Sequence, residues 1–228
     1  MTTWYQPLRG IRSLGSQSRR PGSLAGLHAV RQENLSQFFT GDDLARVVWE
    51  LAVSRPAAAL DRKVSVLDNS VGAGRLLQFA NAERHSIAGA DVHGPSIDAL
   101  MEAAEAAGFD ADFINAGMET IAPRGFDSAV INPPFSIHLD DPTLTPFTCT
   151  TWGKYGPNSA ASSHAYALHQ ALDAAKNVVA VLPATYADQA FANPTLEMED
   201  RLRALIELPA GCFAHEGTQV DVVLLVFG

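Results

Sequence analysis

Val64-Ser65-Val66-Leu67-Asp68-Asn69-Ser70-Val71-Gly72-Ala73-Gly74 is the stretch that decides the fold. Val64 to Asp68 is a short, largely apolar run of strand length that passes straight into a glycine turn, after which Arg75 to Glu83 reads as a helix. Strand, glycine turn and helix in that order open a βαβ unit, in which ligands sit at the carboxyl ends of the strands. Glycine there lets the backbone approach a ligand closely. A turn built to cradle a dinucleotide carries a third glycine, which falls at position 77; this chain has Leu77, so NAD is disfavoured.

The rest of the chain repeats the alternation. Upstream, Thr40-Gly41-Asp42-Asp43 offers N-cap residues, and Leu44, Val47, Val48 and Leu51 recur at helical spacing up to a break at Ser54-Arg55-Pro56. Downstream, Ile87–Asp91 reads as a strand, Pro95–Ala107 as an Ala-rich helix, Asp112–Asn115 as a short strand and Phe126–Ile131 as a strand halted by prolines. A Gly-, Pro- and Thr-rich segment spans His138–Ser159, followed by a helix over Ala160–Ala175. Val178–Leu182 is then a strand, Leu196–Arg203 a helix, and Leu205–Leu208 and Val220–Phe227 short strands. Strands alternating with helices of this length predict an α/β fold, a mostly parallel sheet with helices on both faces. One domain is expected over residues 35–228.

Of 228 residues, 47% are hydrophobic and 18% charged, the balance of a globular enzyme rather than a disordered chain. No apolar stretch approaches the roughly 18 residues of a membrane span. Trp4–Arg20 lacks the apolar centre of a signal peptide, so the chain reads as cytoplasmic, with no membrane partner. Cys149 and Cys212 are far apart, and His138, His164, His169 and His215 have no ligand spacing; no metal is expected. The net charge is −9, although proteins that grip phosphates usually present a basic face. Arg9, Arg12, Arg19, Arg20 and Arg31 all precede the first acidic residue, Glu33. Residues 1–34 therefore read as a basic arm, either solvated or touching nucleic acid, on an acidic body that alone would bind nucleic acid weakly.

Two further sites carry chemistry. Asp91 ends the second strand about 20 residues after the glycine turn, the spacing at which a carboxylate reaches two ribose hydroxyls. The competing role, an N-cap, can be filled by Gly94 or Ser96. At Asn132-Pro133-Pro134-Phe135 an apolar strand ends in an amide followed by prolines that fix the chain. An amide oxygen, a proline carbonyl and an aromatic ring together suit a planar group bearing an exocyclic amine. The alternative is a proline-terminated strand with a packed Phe.

These residues, taken in order from about Ser36 to Phe227, resemble the N6-adenine DNA methyltransferases. Gln37-Phe38-Phe39-Thr40 with its following helix is similar to that family's motif X, beside the methionine end of S-adenosylmethionine (SAM). Asp68–Gly74 resembles motif I, Asp91 the motif II acid, and Asn132–Phe135 the motif IV tetrapeptide. Ser163-His164-Ala165-Tyr166 and Val178–Pro183 fit the segment leading to the fifth strand. Leu208-Pro209-Ala210-Gly211-Cys212-Phe213, Gly217-Thr218 and the strand to Phe227 are similar to the closing hairpin. Asn69-Ser70-Val71 depart from the usual motif I. In motif III, where a carboxylate usually meets the SAM adenine, this chain offers Asn115-Ala116-Gly117-Met118.

The resemblance implies a Rossmann-like, class I SAM-dependent methyltransferase fold: a seven-stranded, mostly parallel sheet with an antiparallel closing strand. It implies SAM held by Phe39, Thr40, Asp68, Asn69, Ser70, Gly72, Gly74, Asp91, Val92, Asn115, Met118 and Asn132. It also implies catalysis by Asn132, Pro133, Pro134 and Phe135 on an adenine flipped out of DNA. Other planar amines remain open as targets: an RNA base, cytosine N4 or a protein glutamine. So does a non-catalytic SAM-binding module that needs a partner. No target-recognition domain is evident, so a specificity subunit or further domain is an expected partner. Trp152, Lys154 and Tyr155 read either as a mobile lid over the base or as an ordinary surface loop.

Overall fold

A computed structural model describes residues 41–228 apart from 136, 140–141, 154–155, 193–195 and 210–219. Helix α1 (Asp42–Ala59) starts with Asp42 and Asp43 in its first turn, where carboxylates favour the positive end of the helix dipole. It leads into β1 (Val64–Asp68) and, after the glycine turn, β2 (His85–Asp91). Helix α2 (Gly94–Ala106) has Pro95 in its first turn, where the missing N–H costs nothing, and β3 (Asp110–Asn115) and β4 (Phe126–Ile131) follow. An antiparallel pair, β5 (Thr148–Gly153) and β6 (Gly156–Ala161), precedes α3 (Ser163–Ala174). The chain ends with β7 (Ala175–Pro183), α4 (Ala184–Ala192), α5 (Leu196–Arg201), β8 (Leu202–Glu207) and β9 (Val222–Phe227).

The main sheet has seven strands in the order β3-β2-β1-β4-β7-β9-β8. β3, β2, β1, β4 and β7 are parallel neighbours, and β9 runs antiparallel between β7 and β8. Both faces are covered, and the alternation of side chains shows how. Val179 and Val181 of β7 face the same core as Val48, Trp49 and Ala52 of α1 and Ile97 of α2. Val178, Ala180 and Leu182 face the opposite core, with Ala167, Leu168 and Ala171 of α3. At the amino-terminal edge of the sheet, the carboxylate of Asp127 accepts from Arg62 (2.6 and 2.8 Å), Ser65 N (3.0 Å) and Ser65 Oγ (2.9 Å). Burial pushes this acid up, but the Arg62 and Ser65 hydrogen bonds prevail and hold it at about 2.

The fold class is as the sequence implied, but several elements differ. No break occurs at Ser54-Arg55-Pro56; α1 continues to Ala59. Pro56 cannot donate to the Ala52 carbonyl, and the fully buried Ser128 Oγ on β4 donates to it instead, at 2.7 Å. Arg75–Glu83 is not a helix: a single 3₁₀ turn, Arg75–Leu77, is followed by turns. There the Asn81 side chain accepts from Glu83 N at 2.9 Å, a local bond that competes with helix formation. The segment His138–Ser159 contains the β5–β6 pair, which holds Gly153 opposite Gly156. The helix expected over Ala160–Ala175 starts only at Ser163, α4 was not anticipated, and β8 begins at Leu202. Among the described residues, no helix is long and apolar enough to cross a membrane. The arm at residues 1–34, the motif X residues Phe39 and Thr40, and Lys154, Tyr155, Cys212 and His215 lie outside the described residues.

Candidate active site

Strand order reverses between β1 and β4, since the chain adds β2 and β3 on one side of β1 and β4 and β7 on the other. Such a switch point opens a crevice at the carboxyl ends of the strands. Asp68 ends β1, Asp91 ends β2, Asn115 ends β3 and Asn132 follows β4, so four of the expected residues share that one edge.

The glycine turn has the form its residues dictate. Gly72 (φ +56°) and Gly74 (φ +75°) adopt the left-handed region that other residues rarely enter. A Cβ on Gly74 would also stand 2.5 Å from Leu100 Cδ2 of α2. The Asp91 carboxylate clasps the turn: Oδ2 accepts from Gly72 N and Oδ1 from His93 N, both at 2.9 Å. Asp68 Oδ1 accepts from Ser70 N at 3.0 Å. Burial pushes the Asp68 carboxyl up to about 7; the Ser70 N–H opposes this and the nearby Asp91 adds to it. The N-terminus of α1 meets the same turn, where Asp42 Oδ1 lies 3.1 Å from Arg75 Nη1.

Leu77 is buried in the core, and a 3₁₀ turn stands where a dinucleotide fold would present a helix N-terminus to the pyrophosphate. Asn115 Nδ2 donates to the Asp91 main-chain carbonyl (2.9 Å), tying the ends of β2 and β3, while Val92 and Met118 are half-buried. Asn69 is 1% exposed; its Nδ2 donates to Ala167 O and Gln170 Oε1, both at 3.0 Å. Its Oδ1 has no donor among the described residues, an acceptor that a bound group or water would satisfy.

In the tetrapeptide, Asn132 and Pro134 are half-buried, whereas Pro133 and Phe135 are buried. Ser163 Oγ, on the first turn of α3, donates to the Pro134 carbonyl at 2.6 Å. The Phe135 ring packs edge-on against His164, with centroids 6.4 Å apart. His164 in turn lies edge-on to Tyr186, and its Nδ1 is 2.6 Å from Ser162 Oγ. Burial lowers the His164 pKa to about 4, so the imidazole is neutral at physiological pH.

Sequence reasoning missed the roles of three residues here. Glu119 is buried, with its carboxylate folded over the Cα of Gly117 so closely that any side chain at Gly117 would collide with it. A carboxylate thus does stand just after β3, four residues beyond Asn115; the signal was a Gly-x-Glu spacing read only as far as Met118. Gln170 was missed, and Ser163 was named only in the segment leading to the fifth strand without a role in the site, because their partners are far away in the chain.

No protein-family model matches the sequence, and no curated protein matches it either. Solved structures do. The methyltransferase subunit of a type I restriction-modification system from Streptococcus thermophilus is 17% identical, with a TM-score of 0.63 over 88% of this chain. This chain spans 47% of that protein's length. A dimethyladenosine transferase from Plasmodium falciparum is 13% identical, with a TM-score of 0.55 over 84% of this chain and 62% of its own. A Pyrococcus abyssi tRNA (uracil-54, C5)-methyltransferase, in complex with S-adenosyl-L-homocysteine, is 19% identical, with a TM-score of 0.50 over 82% of this chain and 37% of its own. At such identities the likeness speaks for architecture, and it agrees with the strand order, the antiparallel β9 and the glycine turn: the chain has the Rossmann-like fold of the SAM-dependent methyltransferases.

Proposed function

We propose that the protein is a SAM-dependent methyltransferase acting on the N6 amine of adenine in DNA. The observation that carries this reading is the gathering of Asp68, the Gly72–Gly74 turn, Asp91 and Asn132–Phe135 at one switch-point crevice. The residues present fit SAM. The positive-φ glycines allow close backbone approach, the Asp91 carboxylate, besides clasping the turn, would accept from the ribose hydroxyls, and the buried Asn69 Oδ1 has no donor among the described residues. Glu119 would supply the carboxylate for the adenine that the Asn115–Met118 stretch lacks. Bound SAM supplies an electrophilic methyl group on its sulfonium.

The chain's own residues then prepare the amine. The Asn132 side-chain oxygen and the Pro133 carbonyl accept its two N–H bonds, which raises electron density on the nitrogen and aims its lone pair. The two prolines hold these acceptors in place beforehand, so catalysis rests on positioning and electrostatic support of the developing charge. Phe135 would have to turn out of its packing against His164 to offer its face to a base, so base entry and a shift of this ring belong together. Flipping the base costs on the order of a few kcal/mol. With a net charge of −9, much of the phosphate affinity would come from the basic residues 1–34 and from a specificity subunit or further domain.

Incubation with tritiated SAM and unmethylated duplex DNA, followed by digestion to nucleosides, tests the reading. The expected result is label in N6-methyldeoxyadenosine for the wild type and a loss of about 10²-fold or more for Asn132→Ala. Label in RNA or protein alone would replace DNA by one of the other planar amines. Transfer by Asn132→Ala at the wild-type rate would overturn the role given to the tetrapeptide.

A further inference from the structure

Helix α3 carries contacts to three separate loops of the crevice, and one side chain makes most of them. Gln170 is buried, and its Nε2 donates to the carbonyls of Met118 (2.7 Å) and Ile121 (2.8 Å), the two ends of the turn after β3. Its Oε1 accepts from Asn69 Nδ2, in the turn after β1, and the same Nδ2 donates to the α3 carbonyl of Ala167. One amide therefore ties the glycine turn and the Met118 turn to each other and to the helix. Seven residues earlier, on the same face of α3, Ser163 holds the Pro134 carbonyl. The helix is itself braced at its other end, where Arg201 Nη1 donates to Leu172 O and Nη2 to Ala175 O, both at 2.7 Å.

We propose that Gln170 is a positioning residue that sets the spacing of the two turns between which SAM binds, using α3 as the common frame for those turns and the amine-accepting loop. The inference rests on the methyltransferase reading given above. A buried amide with this division of labour has no equivalent substitute: without it the Ile121 carbonyl loses this donor, the Met118 carbonyl keeps only the long 3.5 Å contact from Ile121 N, and Asn69 Nδ2 keeps only Ala167 O. An apolar residue of similar length keeps the packing and removes the bonds, which leaves the turns free to drift apart.

The test is SAM titration by calorimetry, with melting temperature, on wild type, Gln170→Met, Asn69→Ala and Ser128→Ala. The Ser128 variant is a stability control that loses a buried hydrogen bond away from the crevice. The expected result is a Kd for SAM raised about tenfold in Gln170→Met and by less in Asn69→Ala, which leaves the Met118 and Ile121 bonds intact. Ser128→Ala is expected to melt lower with an unchanged Kd. With tritiated SAM, Gln170→Met should show a raised KM for SAM with kcat affected less. If Gln170→Met does not fold, Gln170→Glu, which keeps the acceptor for Asn69 and loses the donor to Met118 and Ile121, takes its place in the comparison. Wild-type affinity in both crevice variants, with melting lowered as in the control, would make the network merely structural and overturn the proposal. Failure of the wild type to bind SAM would overturn the methyltransferase reading itself and this inference with it.

Discussion

Asp68 and Asp91 are two carboxylates at one sheet edge with different surroundings. Asp91 is held by backbone donors from Gly72 and His93, whereas Asp68 is buried with Ser70 as its donor and is pushed up to about 7. An unfolded chain ionises this acid near pH ~4. The folded protein therefore retains the proton over the interval that follows, and the stabilisation it contributes is present below about pH 4 and lost as pH rises through about 7. Melting curves between pH 5 and 8 should show wild type losing stability with pH relative to Asp68→Asn; parallel curves would mean that Asp68 is already ionised. At this scale the sequence was informative where chemistry is local. The glycine turn, the strand-ending acids and the position of the Asn132 amide after its strand are read directly from residue type and spacing. Glu119 and Gln170 were not, since their value depends on which backbone atoms the fold brings beneath them.

Helix α1 crosses a proline without breaking because of one hydroxyl 72 residues further along the chain. Ser128→Ala should cost about 1–3 kcal/mol in urea unfolding, the usual cost of an abandoned buried acceptor. The cost should shrink in a Pro56→Ala background, where residue 56 regains the N–H that the Ala52 carbonyl needs. Equal costs in both backgrounds would show that the hydroxyl does not replace the missing helix bond. The same pair explains why the sequence indicated a break at Ser54-Arg55-Pro56: the local rule for proline is sound, and a tertiary donor overrode it. Arg75–Glu83 erred in the other direction: the helix expected after the glycine turn has left-handed Gly74 before it and the local bond from Glu83 N to Asn81 near its end. The central strands β1, β4, β7 and β9 were legible because apolar runs buried on two faces have few alternatives; β5 and β6, amid Gly and Pro, lacked that signal.

For the whole molecule, seven strands, a reversal at β1 and β4 and an antiparallel β9 bring Asp68, Asp91, Asn115 and Asn132 to one edge. The central claim is that this edge binds SAM. Calorimetric titration of SAM into the wild type and Asp91→Asn tests it most directly, because that substitution keeps one acceptor oxygen for the glycine turn and removes the charge and the second acceptor. The account predicts saturable binding by the wild type and affinity at least about tenfold weaker in Asp91→Asn. Absence of wild-type binding, or equal affinity in the two proteins, would contradict it.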